Sequence, residues 1–574
     1  MSRSGWLLVL LALGALPLLA AEPLTFRVGW EAEIPSLNPA TNWAEEGGFI
    51  IDLMFDSFYE LNEKSEPVPL LVVDEKISDD LLTWDLTIAQ GVTWHDGEPL
   101  TADDVVYNLK ALLKTMPPML RADLEFIDSV EKTGEYSIRL HMKYAQPERL
   151  TKVLLADDPL VFLPPHLMPP LEEITLQDIL DYKPEIGFGP FKLVEWKKDQ
   201  HVILEAYEGY WGKKPYIDRL IFKRYDSETA TVEALLAGEV DLVFEITAMT
   251  LVPRIKRAKG FDVSATRSQW LHDVIFNLAD WNENIRPAIL QPEVRRALAH
   301  CIDVEKIIKL VWLGYAQPTA TILPNAGPYP PYLNTDIKYY EFNPEKAAQI
   351  LEENGWIDRD GDGIREKTIT YTIRPLKLED GKHVVGPDGH LERVPPDQWV
   401  VKTETFKLDF EVWIETSYSV LLRVFEIIKE DAAKAGIRLR PTVMEGAKMY
   451  DQIWGEDGYR ADFDILGWGW NIGADPTFIL EWLSAYQIGG WSDSNYHNPE
   501  FTGLYLLQKK TIDPQKRAEI IRRAQELVHR DLPYIIMYWP DKLDGYSLAW
   551  TGYVQQDLVG LCNRMTFLSV RPAE

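Results

Sequence analysis

Ser419–Leu439 reads SVLLRVFEIIKEDAAKAGIRL, two structural periods written back to back. Leu422, Phe425, Ile428 and Ala432 recur at the three- and four-residue spacing of one helix face. Gly436 supplies the residue that ends a helix in the left-handed region, and Ile437, Arg438 and Leu439 then alternate as a strand. The same grammar runs through the rest of the chain. Leu24–Val28 reads as a short strand with Phe26 and Val28 on one face, and Trp84–Ile88 alternates again before the turn Trp94–Gly97. Thr101-Ala-Asp-Asp104 has the form of a capping box with Asp in place of Glu, predicting a helix over Val105–Leu112. Helices that hand over to strands predict an α/β fold with largely parallel sheets.

Size and charge bound the function. The chain has 574 residues and 46% hydrophobic content, enough for two or three buried cores. With 59 basic against 89 acidic residues its formal charge is −30, which excludes nucleic acid and anionic membrane surfaces as partners. At the start, Arg3 precedes an apolar run from Leu7 to Leu19, and Ala20-Ala21 lead into the polar Glu22-Pro23. Residues 1–21 therefore read as a secretory signal peptide, shorter than the roughly 20 apolar residues of a membrane span. No Cys follows the run, so a lipid anchor is not expected. The expectation is an exported protein, periplasmic or extracellular, soluble and monomeric.

Enzyme signatures are missing. The chain contains no G-x-S-x-G, H-E-x-x-H, C-x-x-C or Walker A motif. Gly187-Phe-Gly189 continues into Pro190 without the third glycine of a dinucleotide fingerprint, and His95 sits in a turn beside Asp96-Gly97 that suits packing better than catalysis. An exported hydrolase stays the rival class and would need a convergent nucleophile and base. Asp358-Arg-Asp-Gly-Asp-Gly-Ile-Arg-Glu366 reproduces the start of a calcium loop: Asp358, Asp360 and Asp362 at alternate positions, Gly363 at the bend and the Ile364 carbonyl after it. Ile369 stands where the closing Glu would be, so Glu366 would have to complete the site. A structural calcium ion and a plain Asp/Gly turn are the two readings; no cofactor is otherwise required.

The landmarks occur in a telling order. Val68-Pro-Leu-Leu71 precedes Trp84 and Gly91-Val-Thr-Trp-His-Asp-Gly-Glu-Pro-Leu-Thr-Ala-Asp-Asp-Val105. Gly187–Trp196, Tyr210–Pro215 and Gly238–Val243 follow, then Val294–Ala299 with Ile302-Asp303, Gly355-Trp356, Asp358–Lys367 and Asn495–Phe501. In this order they resemble the large peptide-type (family 5) solute-binding proteins of ABC importers, the oligopeptide, dipeptide and nickel group, over nearly the whole mature chain. The resemblance implies a periplasmic-binding-protein-like fold: two lobes that close on a ligand about hinge strands, as a Venus flytrap does, plus an additional domain. It implies lobe I at 24–65, 187–275 and 535–574, the additional domain at 66–186 and lobe II at 276–534, with 376–400 as an added hairpin or loop. Cys301 and Cys562 then fall in different lobes, which favours two separate buried thiols over a disulfide.

For the site, the resemblance points to Trp30, Glu31 and Glu33 after the first strand and to Gly467–Pro476 in the other lobe. Within that stretch Asn471 takes the place where peptide binders commonly carry an Asp that pairs with the ligand's amino terminus. An amide supplies no charge, which puts the amine clamp in question; Asp475 is the alternative carboxylate, though its Asp-Pro setting also suits a helix start. Trp468, Trp470 and Trp491, among 20 Trp, would wall the ligand. Oligopeptide is the first ligand class and oligosaccharide the second, because Trp faces also stack on sugar rings. Nickel would want a His-rich site or a chelator, and neither is visible. The implied protein partners are ABC permease subunits.

Overall fold

Ser419–Lys434 is a helix, ended by Gly436 at φ 81°, and Arg438–Met444 is the strand that follows. The helix buries Leu421, Val424, Phe425, Ile428 and Ala432, and it connects Asp409–Glu415 to Arg438–Met444, which pair in parallel. The computed structural model describes residues 22–574 except 43, 118–119, 283, 380–381, 385–390, 417–418, 455–462 and 489–491. The predicted signal peptide and Trp491 lie outside the described residues.

These strands belong to a twelve-stranded sheet. Its main path runs Arg438–Met444, Asp409–Glu415, Ile465–Asn471, Trp270–Phe276, Tyr534–Ser547, Leu242–Val243, Thr25–Trp30, Arg219–Arg224, His201–Ala206 and Phe191–Lys197, and Phe261–Arg267 and Ala316–Pro318 pair with Tyr534–Ser547 off that path. The first strand, Thr25–Trp30, is parallel to both its neighbours. The expectation of largely parallel sheets needs correcting: the sheet is mixed, because hairpins such as Phe191–Lys197 with His201–Ala206 and the central strands pair antiparallel.

The central strands join two halves. Tyr534–Ser547 is long enough to serve both: Tyr534–Tyr538 pairs with Trp270–Phe276, and Asp541–Ser547 pairs with Phe261–Arg267. The chain thus crosses from one half to the other twice, side by side, at 268–269 and at 539–540. A separate four-stranded antiparallel sheet (Val72–Ile77, Thr83–Ile88, Ser137–Met142, Ile127–Gly134) carries the helix Ala102–Thr115. Its capping box is present: Asp104 Oδ2 accepts from the Thr101 N–H at 2.9 Å, and Asp104 Oδ1 also accepts from Trp94 Nε1 at 3.2 Å. That sheet shares one continuous core with the first half, in which Phe26, Val28 and Phe222 join Trp84, Leu86, Leu112 and Leu140.

Two landmark motifs meet in one knot. A Cβ at Gly187 would come within 2.0 Å of the Met54 carbonyl oxygen and one at Gly189 within 2.6 Å of that of Leu53, so only glycine permits this backbone approach. His95 pins the same loop: its Nδ1 accepts from the Gly187 N–H at 3.0 Å, and its Nε2–H donates to the Gly189 carbonyl at 3.1 Å. Burial lowers the His95 pKa to about 4, which suits a neutral packing group. Tyr210 and Trp211 are likewise explained by Asp56, which accepts from both and is paired with Arg564 at 2.6 Å.

Cys301 and Cys562 are buried, free and in different core clusters. Glu366–Ile373 and Val400–Lys407 form an antiparallel pair, and the stretch between them carries the short ladder Leu378–Glu379 with Lys382–His383. Among the described residues no helix is long and apolar enough to cross a membrane.

Candidate ligand-binding cleft

Where the two halves meet, one glutamate links three elements. Glu45 opens the helix Glu45–Met54. Its Oε2 accepts from Trp270 Nε1 at 3.2 Å, and its Oε1 accepts from Lys542 Nζ at 2.7 Å. The Lys542 side chain has no solvent exposure and lies 4.0 Å from the Phe244 ring centroid. Asp544, also buried, accepts from the N–H groups of Glu245 and Leu561. Burial works against the Lys542 charge, but Glu45, Glu245 and Asp544 outweigh it and hold its pKa above the ordinary lysine value. Burial first, and neighbouring carboxylates second, push Glu46 up to about 7 and Glu245 up to about 8. One ammonium therefore serves an excess of carboxylates at the crossing.

A second set of contacts ties the four-stranded unit to the far half. Arg149, on the helix Glu148–Asp157, donates to the Ala474 carbonyl at 3.1 Å, to Asp475 Oδ2 at 3.2 Å and to Glu66 Oε2 at 2.8 Å. Lys509 reaches Glu125 at 2.8 Å. Asp475 itself is 1% exposed; it takes Arg517 at 2.6 and 3.1 Å and caps Thr477 through the backbone N–H at 2.9 Å. Its carboxylate is committed to Arg517 and the Thr477 N–H within the far half and to Arg149 across the boundary, a structural role that suits its Asp-Pro setting before the helix Thr477–Trp482.

The predicted residues are spread over several environments. Trp30 is 2% exposed and stacks on Phe222 with centroids 4.8 Å apart, inside the core of the first half. Glu31 and Glu33 are exposed, Glu33 lying 3.9 Å from Arg224. Trp468 and Trp470 are buried in the far half. They face away from Gly467 and Gly469, where a Cβ would meet Phe425 at 2.3 Å and the Leu271 carbonyl at 2.9 Å. Trp470 packs 4.1 Å from Trp482, and its Nε1 donates to Asp493 at 2.6 Å. Asn471 alone of the strand Ile465–Asn471 is partly exposed, at the strand end and opposite Trp270 in register. Its Oδ1 accepts from the Gly473 N–H at 2.8 Å. Trp491 lies outside the described residues.

Glu45, Trp270, Lys542 and Arg149 were not among the expected residues. A usable signal existed for one of them: Lys542 is a lone lysine following the aromatic and aliphatic run Tyr534–Pro540.

The acidic loop does converge. Carboxylate oxygens of Asp358, Asp360 and Asp362 lie within 4.8 Å of one another, all three residues being exposed. Lys407 places its ammonium 2.6 Å from both Asp360 and Asp362, while Asp358 accepts from the N–H groups of Gly361 and Gly363. Ile364 is buried and donates its N–H to Asp362, and Glu366 begins the next strand 3.8 Å from Arg359.

Residues 66–490 match the family described as bacterial extracellular solute-binding proteins, family 5, middle region. The chain is 26% identical over 528 residues to the oligopeptide-binding protein AppA of Bacillus subtilis strain 168, covering 89% of this chain and 87% of that protein. It is 24% identical over 520 residues to the dipeptide-binding protein of Escherichia coli K12, covering 86% and 85%. The solved structure of Bacillus subtilis AppA in complex with a nonapeptide superposes with a TM-score of 0.75 at 23% identity, covering 96% of this chain and 100% of that one. The fold is that of the periplasmic binding proteins, with adjacent strands running between its halves. The chain belongs to the family 5 bacterial extracellular solute-binding proteins.

Proposed function

We propose that this protein is the substrate-binding component of an ABC importer, exported and monomeric, which captures an oligopeptide between two lobes and delivers it unchanged to membrane permease subunits. The observation that carries the reading is the pair of side-by-side crossings at 268–269 and 539–540, two short backbone segments about which the lobes of a hinged binding protein would turn. They argue for drawing the lobes at the crossings: lobe I at 24–65, 187–267 and 541–574, the additional domain at 66–186 and lobe II at 270–540. Peptide is favoured over oligosaccharide by the names of the Bacillus and Escherichia relatives. It is favoured also by the burial of Trp468 and Trp470, which withdraws the aromatic faces that suggested sugar stacking. Mass spectrometry of ligand released from natively purified protein tests this. Amino-acid content is the expected result; a carbohydrate without it overturns the peptide reading, and many cycles of peptide turnover per molecule would overturn the non-enzymatic one.

Asn471 sharpens the ligand class. With its carbonyl engaged by Gly473 and no charge to offer, it should not distinguish a charged amine from a capped one. Free and N-acetylated forms of one peptide are expected to bind within a few-fold by titration calorimetry. Asn471→Asp is expected to favour the free amine by about 1.5–3 kcal/mol, the range for a hydrogen bond to a charged group. If acetylation abolishes binding to the unmodified chain, a carboxylate such as Glu45 or Glu245 holds the amine instead.

For the acidic loop we propose that Lys407 supplies the positive charge that calcium would otherwise bring. Calcium bound there would have to displace that ammonium. Lys407→Met is expected to add one calcium-binding event in calorimetry, which Asp360→Ala on the same background removes. A titration unchanged by Lys407→Met means the loop is an ordinary Asp/Gly turn.

A further inference from the structure

Arg149 stands between the two halves and holds to both. It belongs to the helix Glu148–Asp157, on the side of the four-stranded unit. From that side, Glu66 Oε2 accepts from Nε at 2.8 Å and the Ser65 carbonyl accepts from Nη2 at 3.4 Å. These two bonds orient the guanidinium. Its outer edge then reaches the far half, where Nη1 and Nη2 both donate to the Ala474 carbonyl at 3.1 Å. Nη1 donates also to Asp475 Oδ2 at 3.2 Å. Ser65 is held in place for this: it is buried, its φ of 56° is one a serine adopts only under constraint, and its hydroxyl donates to the Asp557 carbonyl at 2.6 Å. Leu558, next in sequence, bridges to Ser268 at the crossing. Arg149 thus reaches the crossing through Ser65 and Asp557, and a rotation of the halves there would part it from Ala474 and Asp475.

The contact can break without stranding a charge. An ordinary buried ion pair resists opening, because the partner left behind is unpaired in a low dielectric. Here each ion has a second partner in its own half. Asp475 keeps Arg517 at 2.6 Å, and Arg149 keeps Glu66, whose side chain is 44% exposed. A second bridge across the same boundary repeats the pattern. Lys509 Nζ lies 2.8 Å from Glu125 of the four-stranded unit, and 3.4 Å from Tyr505 Oη on its own helix. Glu125 is partly exposed, so water takes the place of the ammonium when it leaves.

We propose that Arg149 and Lys509 form a releasable latch by which the four-stranded unit holds the far half closed. The contacts run from protein to protein, so they act on the empty molecule as well as the loaded one. They set how much of the empty form is closed, and with it the fraction able to admit a ligand. The additional domain is then a clasp on the binding cycle. This inference rests on the reading of the crossings as a hinge.

The test is single-molecule energy transfer on the full mature chain, with dyes at Ser129→Cys in the four-stranded unit and Gln515→Cys in the far half. Both positions are exposed, while Cys301 and Cys562 are free but buried and should not take dye. Each protein is measured as purified and after unfolding and refolding, which strips whatever it carried. The refolded unmodified chain is expected to stay mainly in the state seen as purified. Arg149→Met is expected to shift the refolded chain toward the open state by about ten- to a hundredfold, the range for losing charge-assisted hydrogen bonds. Arg149→Lys, which keeps the charge but not the fork, should shift it less. Lys509→Met should open it in the same direction, and it carries the test if melting curves show Arg149→Met unfolded. Two states whose populations ignore both substitutions overturn the latch and leave the hinge standing. One transfer value for both variants, identical as purified and after refolding, overturns the hinge reading and the latch together.

Discussion

Asp475→Ala is expected to destabilise the protein by about 3–5 kcal/mol, the range for removing one partner of a buried ion pair. The side chains of Asp475 and Arg517 are 1% and 2% exposed. Without the carboxylate, Arg517 keeps hydrogen bonds to Gln508, Thr477 and Tyr332 but faces no negative charge. Thr477 loses its cap as well. Burial works to raise the Asp475 pKa, yet Arg517 and then Arg149 outweigh it and hold the group below its ordinary value. A depressed pKa adds stability above the unfolded value near 3.9 that is lost as pH falls through the folded one. Urea denaturation at pH 7 measures the effect, and the cost should shrink toward pH 3. The double variant Asp475→Ala/Arg517→Met should recover part of the loss, since it no longer buries a lone charge. A cost below about 1 kcal/mol would place the pair with exposed bridges such as Arg523–Glu500.

Lys542→Met is expected to cost a similar 3–5 kcal/mol or to prevent folding at neutral pH, because it leaves Glu45, Glu245 and Asp544 crowded without their cation. The pH dependence has a definite sign. Glu46 and Glu245 already carry folded-state pKa values raised to about 7 and about 8. Groups of this kind contribute stability that is present below the unfolded carboxylate range and is lost as pH rises through the folded values. The unmodified protein should therefore lose stability between pH 5 and pH 8, and the variant should lose more, its carboxylates being raised further. Melting curves across that range decide it. A Lys542→Met protein equally stable at both ends would mean that the carboxylates turn out to solvent when the lysine is gone.

Local features were legible where one stretch of chain decides them. The helix and strand around Gly436, the Thr101 capping box and the pinned His95 follow from short-range spacing and turn chemistry. Asn471 is singled out by its fixed distance from a recognisable Gly-Trp, and its part in binding stays a proposal. The tryptophans were harder, since a Trp reads the same in sequence whether it walls a cleft or fills a core. Gly467 and Gly469 carried the missing clue: they make room for Phe425 and the Leu271 carbonyl, which turns Trp468 and Trp470 to the other, buried face. The pairing of the crossing residues was hidden for a different reason. Glu45 and Lys542 are 497 positions apart, and nothing local to either announces the other.

The core shared by the four-stranded unit and the first half bears on how the molecule comes apart. A segment that buries Trp84, Leu86 and Leu140 against Phe26 and Phe222 cannot melt without exposing its neighbour's interior. The four-stranded unit is therefore expected to unfold together with the first half rather than by itself. Residues 66–186 cut out by themselves would leave that shared interior open to water and should behave as a collapsed, aggregation-prone fragment rather than as a domain.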